Sequence, residues 1–303
     1  MSAPVVVLAG GTGGAKLARG MLDVVGADEL VVIANTGDDV EIYGAYVSPD
    51  PDLVSFWLAD RIDDRGWGLA GDTFNVMDGL RELGVDVWFN LGDRDLAIGL
   101  ERARALSAGA RLTSTLQALT ERLNIPARVL PPSDSPVRTR VMAGEQWHGF
   151  QEFMIRRRAQ GPVQEVDFHG AGAAQATPEA LHALSTARAV IIGPSNPVIS
   201  IGPILAVPGI RAALDATDAP VVAVSPLVDG EVMKGPTAAF MKWAKQPLSS
   251  DGIVELYGGL LDGLVADERT TGVPVLETDV RLSTPAARAA VAGDTLRFAL
   301  GLR

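Results

Sequence analysis

Val5-Val6-Val7-Leu8-Ala9-Gly10-Gly11-Thr12-Gly13-Gly14-Ala15-Lys16 is the stretch whose reading decides the fold class. Its first five residues are apolar, mostly β-branched and without alternation, the pattern of a short strand buried on both faces of a parallel sheet. The glycines make a turn. Ala15 to Val25 then has helical composition, with Leu17, Met21 and Leu22 near helical spacing. A second apolar run, Leu30-Val31-Val32-Ile33-Ala34, closes on Asn35-Thr36-Gly37-Asp38-Asp39. Strand, glycine turn, helix and strand compose one βαβ unit.

The pattern recurs outward from there. Val85–Phe89 reads as a strand ending in Asn90-Leu91-Gly92-Asp93-Arg94-Asp95, Ala189–Ile192 as one ending in Gly193-Pro194-Ser195-Asn196-Pro197, and Pro220–Val224 as one ending in Ser225-Pro226-Leu227. The fold class is therefore α/β: a Rossmann-like, mostly parallel sheet flanked by helices. The carboxyl ends of its strands share one edge, where open α/β sheets bind ligands. Residues 126–176 depart from the pattern and read as an inserted smaller subdomain, with 1–125 and 177–303 forming the core. Within the insert, Arg156-Arg157-Arg158 is either a solvated face or a contact to an acidic ligand or subunit.

A net charge of -11 argues against a general nucleic-acid binder and leaves room for a single nucleotide in a local pocket. Cysteine is absent, which excludes disulfides, thiolate zinc sites and a cysteine nucleophile. The three histidines are not spaced as a zinc site. Met1 to Pro4 carries no basic residue, and no apolar stretch reaches the roughly 18 residues of a membrane span. The expectation is a soluble cytoplasmic protein without a membrane partner, and a symmetric homodimer as the commonest assembly.

Six loops carry candidate chemistry. Gly11, Thr12, Gly13 and Lys16 suit an anion: glycines admit a phosphate to the backbone, the helix N-terminus attracts it, and Lys16 adds a point charge. Lys16 stands where a complete G-x-G-x-x-G would have its last glycine, which tells against a nicotinamide dehydrogenase. Asp38 and Asp39 read as ribose or metal ligands, or as an Asx-rich turn. In Ser48-Pro49-Asp50-Pro51-Asp52, Asp52 resembles the N-cap of a helix over 53–59, whereas Asp50 has no such structural duty. Gly71-Asp72-Thr73-Phe74-Asn75 sets an acid beside the Thr73 hydroxyl and an amide. Arg94, between Asp93 and Asp95, is an internal ion pair or a bidentate phosphate clamp. Ser195 and Asn196 offer a hydroxyl and an amide in a loop stiffened by two prolines. Aspartates at strand ends are hard oxygen ligands, which suit Mg²⁺ beside a diphosphate.

The loops 10–16, 91–95 and 193–197, together with Ser48-Pro49-Asp50, Asp72-Thr73-Phe74, Ser225-Pro226-Leu227 and Lys234-Gly235-Pro236, resemble the 2-phospho-L-lactate transferase family, CofD, called FbiA in actinobacteria. The likeness runs in the same order along nearly the whole chain. Arg156-Arg157-Arg158 followed by Val166-Asp167-Phe168-His169-Gly170 looks like the actinobacterial branch.

That resemblance implies a reaction. The donor is a guanosine diphosphate carrying enolpyruvate or L-lactate through a phosphate ester, and the acceptor is FO (7,8-didemethyl-8-hydroxy-5-deazariboflavin). The terminal ribityl hydroxyl attacks the phosphorus distal to guanosine, GMP leaves, and dehydro-F420-0 or F420-0 forms with Mg²⁺ as cofactor. On this basis Asp52, Asp50 and Arg94 are the catalytic candidates. Asp38, Asp39 and Asp50 are the metal candidates. The ligand-binding candidates are Gly11, Thr12, Gly13, Lys16, Thr73, Asn90, Asp93, Ser195 and Asn196. Asp52 and Asn90 stand where the family contacts FO; some members carry lysine at the latter position, and an amide there neutralises no charge. Ser195 and Asn196 match the loop near the guanosine end. Trp57 and Trp67 are candidates for packing on the flat deazaflavin, with burial in the core as the competing reading for each. The competing function is a non-catalytic regulator of a related sister family that binds a nucleotide sugar.

Overall fold

The computed structural model describes residues 3–302 except 126 and 234, so Met1 and Ser2, Pro126 at the insert boundary and Lys234 of the Lys-Gly-Pro motif lie outside the described residues. The chain runs β1 (Val5–Ala9), α1 (Gly11–Val25), β2 (Leu30–Ala34) and the hairpin β3 (Val40–Ile42) and β4 (Ala45–Val47). Helices α2 (Pro49–Leu58), α3 (Asn75–Glu82), α4 (Asp93–Ser107) and α5 (Leu112–Arg122) follow. After β5 (Arg128–Leu130) come three antiparallel strands, β6 (Arg138–Ala143), β7 (Gln146–Gly149) and β8 (Glu165–His169), with α6 (Phe150–Ile155) between the last two. The second half contributes β9 (Ala189–Ile192), β10 (Val221–Val224), the short pair β11 (Leu227–Val228) and β12 (Glu231–Val232), β13 (Gly263–Ala266) and β14 (Val275–Glu277).

Seven of these strands form one sheet in the order β14-β13-β10-β9-β1-β2-β5, with every neighbouring pair parallel. Burial explains the absence of alternation. Val6 and Leu8 point into a core with the helices Pro178–Ser185 and Ile210–Ala216, while Val5, Val7 and Ala9 face α1, α2 and the C-terminal helix Pro285–Gly301. From β1 the order proceeds one way to β2 and β5 and the other way to β9, β10, β13 and β14. The direction reverses between β1 and β9, and a reversal of this kind opens a crevice at the carboxyl ends of the strands.

The α/β reading of the sequence agrees with this sheet, and three local expectations do not. Val85–Phe89 is not a strand. Its residues are exposed or half-buried, whereas a parallel strand needs both faces covered; the position beside β2 belongs to β5, through Val31↔Arg128 and Ile33↔Leu130. Gly11–Gly14 is the first turn of α1 rather than a separate loop, because first-turn amides need no intrahelical partner. Asp52 is not a helix cap: α2 starts at Pro49 with Ser48 at its N-cap, since proline fits the first helical position. The stretch 126–176 contains the antiparallel sheet and α6, and it also supplies β5 to the central sheet. Among the described residues no single helix is long and apolar enough to cross a membrane.

Candidate active site

A cavity of about 1040 Å³ opens at the carboxyl ends of the strands, with Gly10–Gly13, Asp38, Pro194–Asn196 and Ser225 in its wall. The crevice between β1 and β9 is closed by backbone meeting backbone: a Cβ on Gly13 would overlap the carbonyl oxygen of Pro194. The Ser195 hydroxyl accepts the Gly10 N–H at 3.2 Å, tying the two loops together. The first turn of α1 faces this cavity, and a helix N-terminus in that position suits an anion. Lys16 also lines it, with Nζ 5.6 Å from the centre of the Trp57 ring.

Beside that helix end lies a buried polar cluster. Asp50 Oδ1 accepts the Gly11 N–H at 2.8 Å. The Asn35 side-chain amide donates to Asp50 Oδ2 at 2.9 Å and to Asp38 Oδ1 at 3.1 Å, while its own oxygen accepts the Gly37 N–H at 2.7 Å. Burial pushes Asp50 up to about 6, with the Asn35 and Gly11 hydrogen bonds pulling it back. Asp38 is held well above the usual carboxylate range, by burial first and then by the charge of Asp50. Two buried carboxylates that repel each other, in the wall of a cavity and beside that helix N-terminus, fit a Mg²⁺ that completes its shell with substrate phosphates and water. Among the described residues no three acidic or histidine side chains form a metal-binding group of their own.

The other metal candidate is differently engaged. Asp39 Oδ1 accepts the Ser48 hydroxyl at 2.7 Å, and Oδ2 accepts the Tyr46 hydroxyl at 3.0 Å. Burial raises it to about 7 against the pull of Arg138, and it is absent from the cavity wall. Its two oxygens fasten the β3–β4 hairpin to the start of α2.

Asp52 does reach the cavity, from the first turn of α2. Both of its oxygens are gripped by the buried guanidinium of Arg102 on α4, which also donates to the Tyr46 carbonyl at 3.0 Å. A separation of fifty positions hides this pair from sequence reasoning, and nothing local to Arg102 marks it.

The Leu-Gly-Asp-Arg-Asp loop divides. Leu91, Gly92, Asp95 and the preceding Asn90 line the cavity, with Asn90 Oδ1 accepting from Arg81 at 2.7 Å. Asp93 turns away to α3, where Thr73 Oγ1 donates to it at 2.6 Å and the Val76 N–H at 3.0 Å. Arg94 is exposed and outside the cavity wall. Thus Gly11, Thr12, Gly13, Lys16, Asp38, Asp50, Asp52, Asn90, Ser195 and Asn196 share one cavity, whereas Asp39, Thr73, Asp93 and Arg94 are outside its wall. Asn196 doubles as a cap, its Oδ1 accepting from Val198 at 2.9 Å.

The far wall is aromatic and apolar: Trp67, Phe74, Trp88 and Phe89, with Phe150 and Met154 from α6. Trp67 is 54% exposed and lines the cavity, whereas Trp57 is 8% exposed and packs in the core under Lys16 and Arg288. The end of the segment 85–89 is therefore cavity wall, through Trp88 and Phe89, whose stacked ring centres are 5.7 Å apart. Its aromatic content was the available signal, and the strand reading masked it.

Comparison with known proteins places this geometry in a family. The family described as "2-phospho-L-lactate transferase CofD" matches residues 5–295. The chain is 39% identical to a phosphoenolpyruvate transferase of Kitasatospora aureofaciens over 95% of this chain and 97% of the relative. It is 38% identical to a 2-phospho-L-lactate transferase of Methanosarcina mazei over 87% of each. A solved UPF0052-family protein of Bacillus halodurans superposes with a TM-score of 0.57 at 17% identity, covering 89% of this chain and 83% of that one, a likeness of fold alone. The matches span both strand-end halves of the cavity and the insert between them, and the chain belongs to the CofD family of 2-phospho-L-lactate transferases.

Proposed function

We propose that this protein transfers a phosphoenolpyruvyl or 2-phospho-L-lactyl group from a guanosine diphosphate donor to the terminal ribityl hydroxyl of FO. GMP is released and dehydro-F420-0 or F420-0 is formed in the biosynthesis of coenzyme F420. One observation carries the reading: a single cavity joins a helix N-terminus and two repelling buried carboxylates to a wall of aromatic rings. The first set suits a diphosphate and the second a planar alcohol.

The amides of the first turn of α1 and Lys16 bind the donor phosphates and hold them against the β1–β9 crevice. Asp38 and Asp50, oriented by the Asn35 amide, would hold Mg²⁺, which when bound supplies charge neutralisation on the diphosphate. Asp52, locked by Arg102, orients the polyol chain of the acceptor by accepting hydrogen bonds. Trp67, Trp88 and Phe89 cover the ring and exclude water from the reacting end. Ser195 and Asn196 border the donor end. Arg94, exposed outside the wall, takes no part in this reading.

The test is incubation with FO, Mg²⁺ and, in competition, the enolpyruvyl, lactyl and glyceryl forms of the guanosine diphosphate donor. GMP release and a product of the mass of F420-0 or its dehydro form are expected. Binding of a nucleotide sugar with no GMP and no new fluorescent product would overturn the transferase in favour of a non-catalytic regulator.

A further inference from the structure

Five aspartates line the described wall of the cavity: Asp38, Asp50, Asp52, Asp72 and Asp95. Four have their oxygens engaged by donors of the protein. Asp38 and Asp50 share the Asn35 amide, Asp52 is gripped by Arg102, and Asp72 accepts the N–H groups of Thr73, Arg94 and Asp95. Asp95 differs. Its Oδ1 is sealed from solvent, and among the described residues no donor meets it.

A carboxyl oxygen sealed from solvent without a donor is costly, and a catalytic role is one reason for a protein to keep such a group in the wall of a cleft. The surroundings of Asp95 deepen that cost. Its backbone sits in the first turn of α4, in the Leu-Gly-Asp-Arg-Asp loop, and the loop bearing Gly68 packs against its Oδ2. The charged groups facing it are Asp52 on α2, Asp63 and Asp72 on the loop between α2 and α3, and Arg65 on that same loop. Three of the four are negative. Burial first, and then these carboxylates, push Asp95 up to about 7 against the pull of Arg65.

We propose that Asp95 is the catalytic base of the transfer, receiving the proton of the attacking hydroxyl. The inference rests on the function proposed above and adds a residue to it. The hydroxyl oxygen forms a bond to the distal phosphorus. The bond from that phosphorus to the bridging oxygen breaks, and its electron pair leaves on the phosphate of GMP. The hydroxyl proton passes to the Asp95 carboxylate and from there to water before the next turnover. A base that titrates near neutrality combines a usable ionised fraction with enough basicity to draw the proton. Asp50 is committed to the helix end and the metal position, and Asp52 to Arg102. Asp95 is the carboxyl of the wall that no protein donor engages among the described residues.

The experiment is the pH profile of kcat and of KM for FO in the native enzyme and in Asp95→Asn. The native kcat should rise with a midpoint of about 7, and the variant should lose about a hundredfold or more in kcat, keep KM for FO within about threefold, and show no such limb. Asp95→Asn removes a repelled charge, so its unfolding temperature at alkaline pH should match or exceed that of the native chain. A kcat within about threefold of native, or a surviving limb near neutrality in the variant, overturns the assignment. A native profile without that limb overturns it whatever the variant does. If the native enzyme releases no GMP from any of the three donors, the transferase reading itself falls. If it turns over and Asp95→Asn does so equally, only the role of Asp95 falls.

Discussion

Asp72 and Asp93 cap each other's helices. The carboxylate of Asp72, three residues before α3, accepts the N–H groups of Arg94 at 3.0 Å and Asp95 at 3.2 Å at the start of α4. The carboxylate of Asp93, the first residue of α4, accepts the N–H groups of Asn75 at 3.1 Å and Val76 at 3.0 Å at the start of α3. Gly92 makes room for the exchange, since a Cβ there would overlap the Asp72 carboxylate. Two helix N-termini, each attractive to negative charge, thus bind the segments 72–76 and 92–95 into one unit. That unit sets Asp72, Gly92 and Asp95 in the cavity wall.

The reciprocal cap predicts an acid-sensitive wall. Hydrogen bonds from Thr73 first, then from the Val76 N–H and Asn75, hold Asp93 down at about 2 against an ordinary 3.8. A depressed carboxylate contributes stability that is present above its unfolded value and lost as pH falls through the folded one. Asp93→Ala should therefore lower the unfolding temperature at neutral pH, and the gap from the native chain should close as pH falls from about 4 to about 2. Thermal unfolding followed by circular dichroism across that range measures it; an equal gap at every pH would contradict the cap.

The Asp52–Arg102 pair predicts a separation of stability from activity. Arg102→Met strands a buried carboxylate and should cost about 3–5 kcal/mol, whereas the double variant Asp52→Leu/Arg102→Met should recover most of that loss. Activity should stay absent in both, because the acceptor chain has lost its oriented oxygen. Urea unfolding gives the first quantity and GMP release the second. A double variant that is stable and active would remove Asp52 from the site.

The central sheet was legible because β1, β2, β9 and β10 are buried on both faces, and an unbroken apolar, β-branched run of that length between glycine-rich turns fits little but a covered strand. The strand-end loops were legible for the same reason, since topology sends them to one edge. Val85–Phe89 defeats a reading by pattern because a run of apolar and aromatic residues serves equally as strand or as cavity wall, and only burial distinguishes the two. Asp93 and Thr73 stand out as a motif that suggests a ligand, because a carboxylate near a helix N-terminus satisfies a cap and a phosphate site with the same chemistry. Arg102 left no trace. Its partner is fifty positions away, and the sequence around it is that of an ordinary charged helix.

Gly13 predicts a steric switch at the β1–β9 crevice. Gly13→Ala forces its new methyl group against the Pro194 carbonyl oxygen, a backbone atom that cannot rotate away. The expected cost is about 1–3 kcal/mol of stability, with the two loops pushed apart. KM for the guanosine diphosphate donor should rise while FO affinity, which the proposed function assigns to the aromatic wall, stays within about twofold. Fluorescence titration of FO and steady-state kinetics with varied donor separate the two; a loss confined to FO would place the donor elsewhere.

The Asp38–Asp50 pair predicts how the proposed Mg²⁺ couples to pH. Burial raises Asp50 to about 6, and burial plus the charge of Asp50 raises Asp38 well above the usual range. A raised carboxyl contributes stability that is complete below its unfolded value of about 3.9 and lost as pH rises through the folded value. Without a cation the fold should therefore weaken as pH rises through about 6, because ionisation sets two buried charges against each other. A divalent ion relieves that repulsion and displaces the protons, so Mg²⁺ should raise the unfolding temperature more at about pH 8 than at about pH 5 and release protons on binding at the lower pH. Chelation should abolish transfer, and Mg²⁺ should restore it. Asp50→Asn should weaken Mg²⁺ binding by about tenfold or more and flatten its pH dependence. Calorimetry in two buffers of different ionisation heat reads both the affinity and the proton release. Native affinity that is flat across this pH range would remove the metal from these two carboxylates, and with it the account of how the donor diphosphate is neutralised.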